Sequence, residues 1–189
     1  MIRLLLFSAA IERDAALQGD LPEDWVVETV GVGPIESAVG TIRAIARHLP
    51  TEIIYAGTCG AYPGSNIQVG QIVTVREVRL TSGEVLSGAV RIPDAQPVGC
   101  LPLRWNRGDL REVDAVCTIG ITEDEGLART LGGVAEVENL ELFSICRAAA
   151  PMTIRSILGV TNIVGPGGGK GWKENYRDVM AEIGKRIFE

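Results

Sequence analysis

The sequence predicts an α/β protein, a three-layer α/β/α sandwich around a mostly parallel, mixed central sheet. Three observations predict it. Short apolar, β-branched runs alternate with segments of helical spacing, no repeat or low-complexity tract interrupts them, and no composition shift marks an internal boundary. With 189 residues, the chain 1–189 is read as a single domain, large enough to bury roughly 70% of its unfolded surface.

Composition narrows the function classes. A net charge of −6 without a Lys/Arg cluster excludes the electrostatic footprint of a nucleic-acid binder. No apolar run approaches the ~20 residues of a membrane span, and residues 1–8 lack a signal-peptide cleavage pattern, so a cytoplasmic protein without membrane attachment is expected. Cys59, Cys100, Cys117 and Cys146 lie far apart, and His48 is the one histidine. That pattern suggests neither zinc site nor disulfide framework, and the thiols are read as reduced and mostly buried.

The elements follow in order. Residues 2–7 form an apolar strand, after which Ser8, Ala9 and Ala10 open a loop ending in Glu12, Arg13 and Asp14. A carboxylate just past a first parallel strand stands where α/β sheets present their ligand groups. Alternatively, Glu12 and Asp14 merely favour a helix N-terminus through its dipole. Residues 25–30 read as a second strand, closed by Gly31-Val32-Gly33-Pro34, which is no dinucleotide fingerprint because Glu36 stands where the last glycine belongs. Pro34 starts a helix with Ala38, Ile42, Ala44, Ile45 and Leu49 as its apolar positions. His48, near its end, is read as support for the helix dipole rather than as a catalyst.

Residues 53–56 form a buried strand that stops at Gly57, where backbone can approach a ligand; Thr58, Cys59, Gly60 and Ala61 then make a small-residue loop. A turn over 62–66 and a strand over 72–75 follow, and a plain turn between two core strands is the alternative for the whole stretch. Residues 77–99 suggest edge strands and 96–108 an irregular loop. Residues 115–119 read as a strand, with Thr122 as N-cap of a helix running to 131. A short strand then feeds a helix that reaches 149, in which Glu138 and Glu141 share a face and Glu141 joins the stripe of Ile145 and Ala148. A carboxylate on an apolar stripe is costly unless something binds it. After a strand over 154–160 come Thr161, Asn162 and the glycine run 165–169, which is no P-loop and reads as a mobile loop, lid or linker before a final helix over 172–188.

Several of these segments carry a resemblance. The order strand, Gly57-Thr58-Cys59-Gly60-Ala61, turn, Val69-Gly70-Gln71-Ile72-Val73 resembles the purine and uridine phosphorylase and nucleosidase superfamily. The stretch 56–65 is most similar to its futalosine hydrolase branch, and 31–38 resembles the superfamily's G-[VI]-G-x-x-x-[AS]-A. The resemblance implies a metal-independent enzyme without cofactor that binds a small-molecule nucleoside, forms a homo-oligomer, and releases hypoxanthine from futalosine on a menaquinone pathway.

It also implies roles. Val137-Glu138-Asn139-Leu140-Glu141 is similar to V-E-x-M-E, whose last glutamate grips the ribose hydroxyls; this assigns Glu141, with Glu138 as the alternative alignment. Leu140 replaces the methionine that packs on the sugar, and Leu142 a small residue. Val137 and Leu140 of this motif, and Thr58, Cys59 and Gly60 of the central one, are placed against the substrate. Thr161-Asn162 resembles the S-N or T-N of enzymes acting on 6-oxopurines, which gives Asn162 the leaving base; Asn162 as a strand-end residue is the alternative. Phosphorylases of the superfamily bring arginines to phosphate, whereas here Tyr55 and Ala56 precede Gly57 and the first loop offers Arg13 alone. Water is therefore the expected nucleophile, activated by Glu12 or else Asp14. A purine nucleoside phosphorylase and a nucleoside binder that has lost catalysis are the competing readings, and the stretch between Arg76 and Arg111 is expected to shape the 5′ side of the substrate.

Overall fold

A computed structural model describes residues 1–19, 21–93, 99–103 and 108–188. The chain runs β1 (Arg3–Phe7), α1 (Ala10–Ala16), β2 (Trp25–Thr29), α2 (Pro34–His48), β3 (Glu52–Ala61), β4 (Ile72–Leu80), α3 (Gly83–Leu86) and β5 (Cys100–Pro102). It continues through β6 (Arg111–Cys117), α4 (Glu125–Gly132), β7 (Val137–Glu138), α5 (Leu142–Ala149), β8 (Ile154–Ile163) and α6 (Gly168–Ile187).

β1 shows why its run is apolar without alternation. Leu4 and Leu6 join a core with Tyr55 of β3, Ala44 of α2 and Ile145 of α5, while Leu5 and Phe7 join another with Met180 and Ile183 of α6. Both faces of the strand are covered, as in parallel sheets generally. β2, β1, β3 and β8 pair in parallel in that order. The sheet has 8 strands and is mixed, so the α/β class is as expected.

A flat middle layer is not what forms. β8 pairs antiparallel with β4, β4 parallel with β6, β6 parallel with β7, and β7 antiparallel with β3, so the pairing returns to its start. The seam between β4 and β8 has just two register pairs, Ile72↔Gly159 and Val73↔Leu158. Beyond them side-chain hydroxyls continue the pairing: the Val75 amide donates to Ser156 Oγ at 3.1 Å, and Thr74 Oγ1 donates to the Ser156 carbonyl at 3.0 Å.

Several expected boundaries move. Residues 58–61 are strand rather than loop, because β3 pairs with β8 from Ile53 through Ala61, with a register shift between Cys59 and Gly60. α4 is capped by Asp124, whose side chain accepts from the Leu127 amide at 2.7 Å, and not by Thr122. α2 buries Ser37, Thr41 and Ala44, whereas Ile42 is exposed. Residues 77–99 continue β4 and then form the short helix α3 rather than a set of edge strands. Of the cysteines read as mostly buried, Cys100 is the exposed one; it lies in β5, which pairs with β4 inside the expected loop, and 94–98 and 104–107 lie outside the described residues. The glycine run is not a free loop, since α6 begins at Gly168. Among the described residues no helix is long and apolar enough to cross a membrane.

Replacing Ser156 by Ala removes the partner of a buried backbone N–H at the seam, which should cost about 1–3 kcal/mol. Urea unfolding should show a lower midpoint at unchanged slope. An unaltered midpoint would mean that the hydroxyl does not hold the seam.

Candidate active site

The ends of β1, β3 and β8 open onto one cleft of about 290 Å³, lined among others by Glu12, Thr58, Glu141, Asn162 and Trp172. Glu12 stands in the first turn of α1, not in a loop, and is 5% exposed. Its Oε1 accepts from Thr58 Oγ1 at 2.6 Å, and the Thr58 oxygen in turn accepts from the Trp172 indole N–H at 3.0 Å.

Glu141 is not on a helical stripe. It is the residue just before α5, with Glu138 in β7, so the two carboxylates do not share a helical face. Asn139 makes this turn: its Oδ1 accepts from the amides of Glu141 at 3.0 Å and Leu142 at 2.7 Å, and its Nδ2 donates to the Thr58 carbonyl at 3.0 Å. Glu141 Oε1 accepts from the Gly33 amide at 2.9 Å, and Oε2 from Tyr55 Oη at 3.3 Å. The Tyr55 hydroxyl also meets Ser8 Oγ at 2.7 Å and Asn139 Nδ2 at 3.3 Å. Gly57 exists for this ring: a Cβ there would stand 2.7 Å from Tyr55 Oη. The space expected for ligand backbone contact is filled by the tyrosine.

Glu138 lines the cleft but is occupied on both oxygens. Thr122 donates to it from its amide at 3.1 Å and its hydroxyl at 2.5 Å, and Tyr62 Oη donates at 3.0 Å. At the other end of the cleft, Asn162 accepts at Oδ1 from Thr161 Oγ1 at 2.8 Å and donates from Nδ2 to the Ile163 carbonyl at 3.2 Å. The first turn of α6 lies against it, since a Cβ at Gly168 or Gly171 would come within 3.0 Å of the Asn162 side chain.

The structure therefore brings together Glu12, Thr58, Cys59, Gly60, Glu138, Leu140, Glu141 and Asn162. It does not bring in Asp14, which is exposed, pairs with Arg13 at 2.7 Å and borders a separate shallow depression. Val137 is also absent, because its side chain belongs to the core. No described residue between Arg76 and Arg111 lines the cleft. His48 is away from it and bonds Glu28 at 2.7 Å. Sequence reasoning missed Ser8, Tyr55, Asn139 and Trp172 as members of the site; a polar tyrosine inside an aliphatic strand and a tryptophan straight after a glycine run were the available signals.

Burial pushes the Glu12 carboxyl up to about 7; the Thr58 hydroxyl opposes this and the charge of Glu141 adds to it. Burial also raises Glu141, against the pull of the Gly33 amide and Tyr55 hydroxyl. Tyr55 is raised well above the usual phenol range by burial and then by both carboxylates. A buried carboxyl near neutrality is suited to moving protons. Among the described residues no cluster of His, Cys, Asp or Glu is arranged to hold a metal ion.

No protein-family model matches the sequence, and no curated protein matches it. Solved structures do match the fold. A futalosine hydrolase mutant of Helicobacter pylori superimposes with a TM-score of 0.82 at 9% identity, over 98% of this chain and 96% of that one. The 5′-methylthioadenosine nucleosidase of Arabidopsis thaliana does so at 0.78 and 16%, over 97% and 91%. A nucleosidase for 5′-methylthioadenosine and S-adenosylhomocysteine from Colwellia psychrerythraea, in complex with adenine, gives 0.74 and 15%, over 98% and 91%. The chain has the fold of these nucleosidases over nearly its whole length.

The raised Glu12 carboxyl has a consequence for stability. The folded protein holds the proton up to about pH 7 and the unfolded chain only to about 4.5, so the cost of charging Glu12 is absent below that range and complete above it. Glu12→Gln should thus stabilise the protein by about 3 kcal/mol at pH 8 and by less than about 1 kcal/mol at pH 5. Denaturant titrations at the two pH values check this; equal effects would show that Glu12 is not desolvated.

Proposed function

We propose that the chain is a nucleoside N-ribosyl hydrolase that releases hypoxanthine from futalosine or a related 6-oxopurine nucleoside. The observation that carries this reading is the convergence of a buried, near-neutral Glu12, a Glu141 held beside it, and the Asn162 amide on one cleft. The nucleosidase fold of the solved structures supports it.

Glu141 takes the ribose hydroxyls. Its Oε1 accepts from the Gly33 amide and its Oε2 makes a long contact with the Tyr55 hydroxyl, and the carboxylate faces the cleft where a diol would lie. Glu138 is the weaker candidate because three protein donors already use it. The C1′–N9 bond breaks with its electron pair leaving on the base, and positive charge spreads over the sugar ring. The Asn162 amide, oriented by Thr161, donates its remaining N–H to the base and favours the departing anion. Water adds to C1′ and gives a proton to Glu12, which is ionised above about pH 7; the base anion takes up a proton from solvent to leave as neutral hypoxanthine, and Glu12 returns its proton to solvent. Val32, Ile121, Leu140 and Trp172 supply the apolar walls.

Water rather than phosphate is the nucleophile in this reading. Among the described residues no Lys or Arg lines the cleft, and Arg13 turns to Asp14. Three carboxylates without a cation, Glu12, Glu138 and Glu141, disfavour a phosphate dianion. The expected homo-oligomer stays part of the proposal: α2 presents Ile35, Val39 and Ile42 outward, a row suited to a partner helix face, and molar mass in solution decides it.

Hypoxanthine release from futalosine, with inosine beside it, should proceed without phosphate, with kcat/KM falling as pH drops below about 7. Glu12→Gln should lower kcat by about 10²–10⁴-fold, and Glu141→Gln should cost far more than Glu138→Gln in kcat/KM. Phosphate-dependent release would move the assignment to a phosphorylase. Binding without release would make the chain a nucleoside-binding protein.

A further inference from the structure

We propose that Trp172 is a positioning residue which fixes the direction of the Thr58 hydroxyl, so that this hydroxyl commits its hydrogen to Glu12. The part of Glu12 in proton transfer rests on the hydrolase reading, while the positioning itself does not.

An indole N–H can only donate. Trp172 Nε1 lies 3.0 Å from Thr58 Oγ1, so it occupies a lone pair of that oxygen. A threonine hydroxyl has a single hydrogen, and Glu12 Oε1 at 2.6 Å is the acceptor for it. The three groups thus form a directed line from the start of α6, through β3, to α1. With a weaker donor on the far side, the hydroxyl would be free to turn towards the cleft. The line holds Oε1 of Glu12 from the β3 side.

Trp172 is itself held. Its ring stacks on Tyr176 one turn along the helix, with centroids 4.7 Å apart and planes at 13°. Tyr176 is buried, and its hydroxyl accepts from Arg177 Nε at 2.9 Å. α6 enters its first turn through glycines and packs close to Asn162, so the same turn sets both the indole and the amide of the base end. Glu141 and Tyr55 are the ionisable groups electrostatically coupled to Glu12, and Glu138 and Cys59 line the same cleft; the hydrogen-bonded path from the indole to Glu12 runs through Thr58.

The test is a carbon-13 NMR titration of the Glu12 carboxyl in unliganded protein. Trp172→Phe keeps an aromatic ring for Tyr176 but loses the N–H, and should raise the Glu12 midpoint by about half a pH unit or more. Thr58→Val should raise it further, and the double variant should match Thr58→Val alone, because the indole acts through the hydroxyl. In the unaltered protein, the Trp172 indole N–H resonance should move through the same midpoint. A midpoint unmoved by Trp172→Phe, shifts that add in the double variant, or an indole resonance flat across the transition would overturn the proposal. The acid limb of kcat/KM separates the two readings: a limb that ignores a shifted midpoint removes Glu12 as the base and leaves the positioning intact.

Discussion

Everything about this site follows from keeping two carboxylates, Glu12 and Glu141, ionisable inside a mostly apolar cleft. Each is about as buried as a core residue, at 5% and 6% exposure, and each raises the cost of charging the other. The offset comes from neutral donors, chief among them the Gly33 amide and Tyr55 hydroxyl for Glu141 and the Thr58 hydroxyl for Glu12. Neutral donors soften the desolvation without cancelling it, and so Glu12 stays near neutrality. A charged donor such as an arginine in place of the Tyr55 or Thr58 hydroxyl would lower both carboxyls towards the ordinary range.

Three glutamates in one cleft have different capacities because their donors differ. Glu138 ties Thr122 and Tyr62 together and thereby fixes the segment before α4 against β7. Its saturation is a structural use of charge. Glu141 sits three residues on, and the intervening Asn139 uses both ends of its amide to turn the chain away from the strand. Without that turn the two side chains would stack on one helical face, as spacing alone predicts.

The parts of the fold that were legible are those fixed by local pattern. The apolar runs of β1, β3 and β8 and the proline start of α2 needed no distant partner to be read. What escaped was set by contacts distant in sequence. Residues 58–61 look like a loop until β8 is laid beside them. The glycine run reads as free chain until α6 is seen to begin at Gly168, where a Cβ would stand 3.0 Å from Asn162 Nδ2. Tyr55 meets Glu141 86 residues away and Trp172 meets Thr58 114 residues away, distances at which no periodicity carries a signal. Of the cleft, Glu12 was reached from its place just past the first strand and Glu141 and Asn162 through motifs, whereas the groups that tune them were not.

This division has a physical reason. A group that touches substrate needs a particular chemistry at a particular strand end, and that requirement leaves residue types at recognisable places. A group that tunes it needs only to put one polar atom within about 3 Å, and any element able to reach can supply it. Thr58 illustrates the difference. Its hydroxyl has one hydrogen to give. In this cleft Glu12 receives that hydrogen and Trp172 fills the oxygen's other side. The groups on either side of the Thr58 hydroxyl thus come from α1 and α6, both distant in sequence from the strand that carries it.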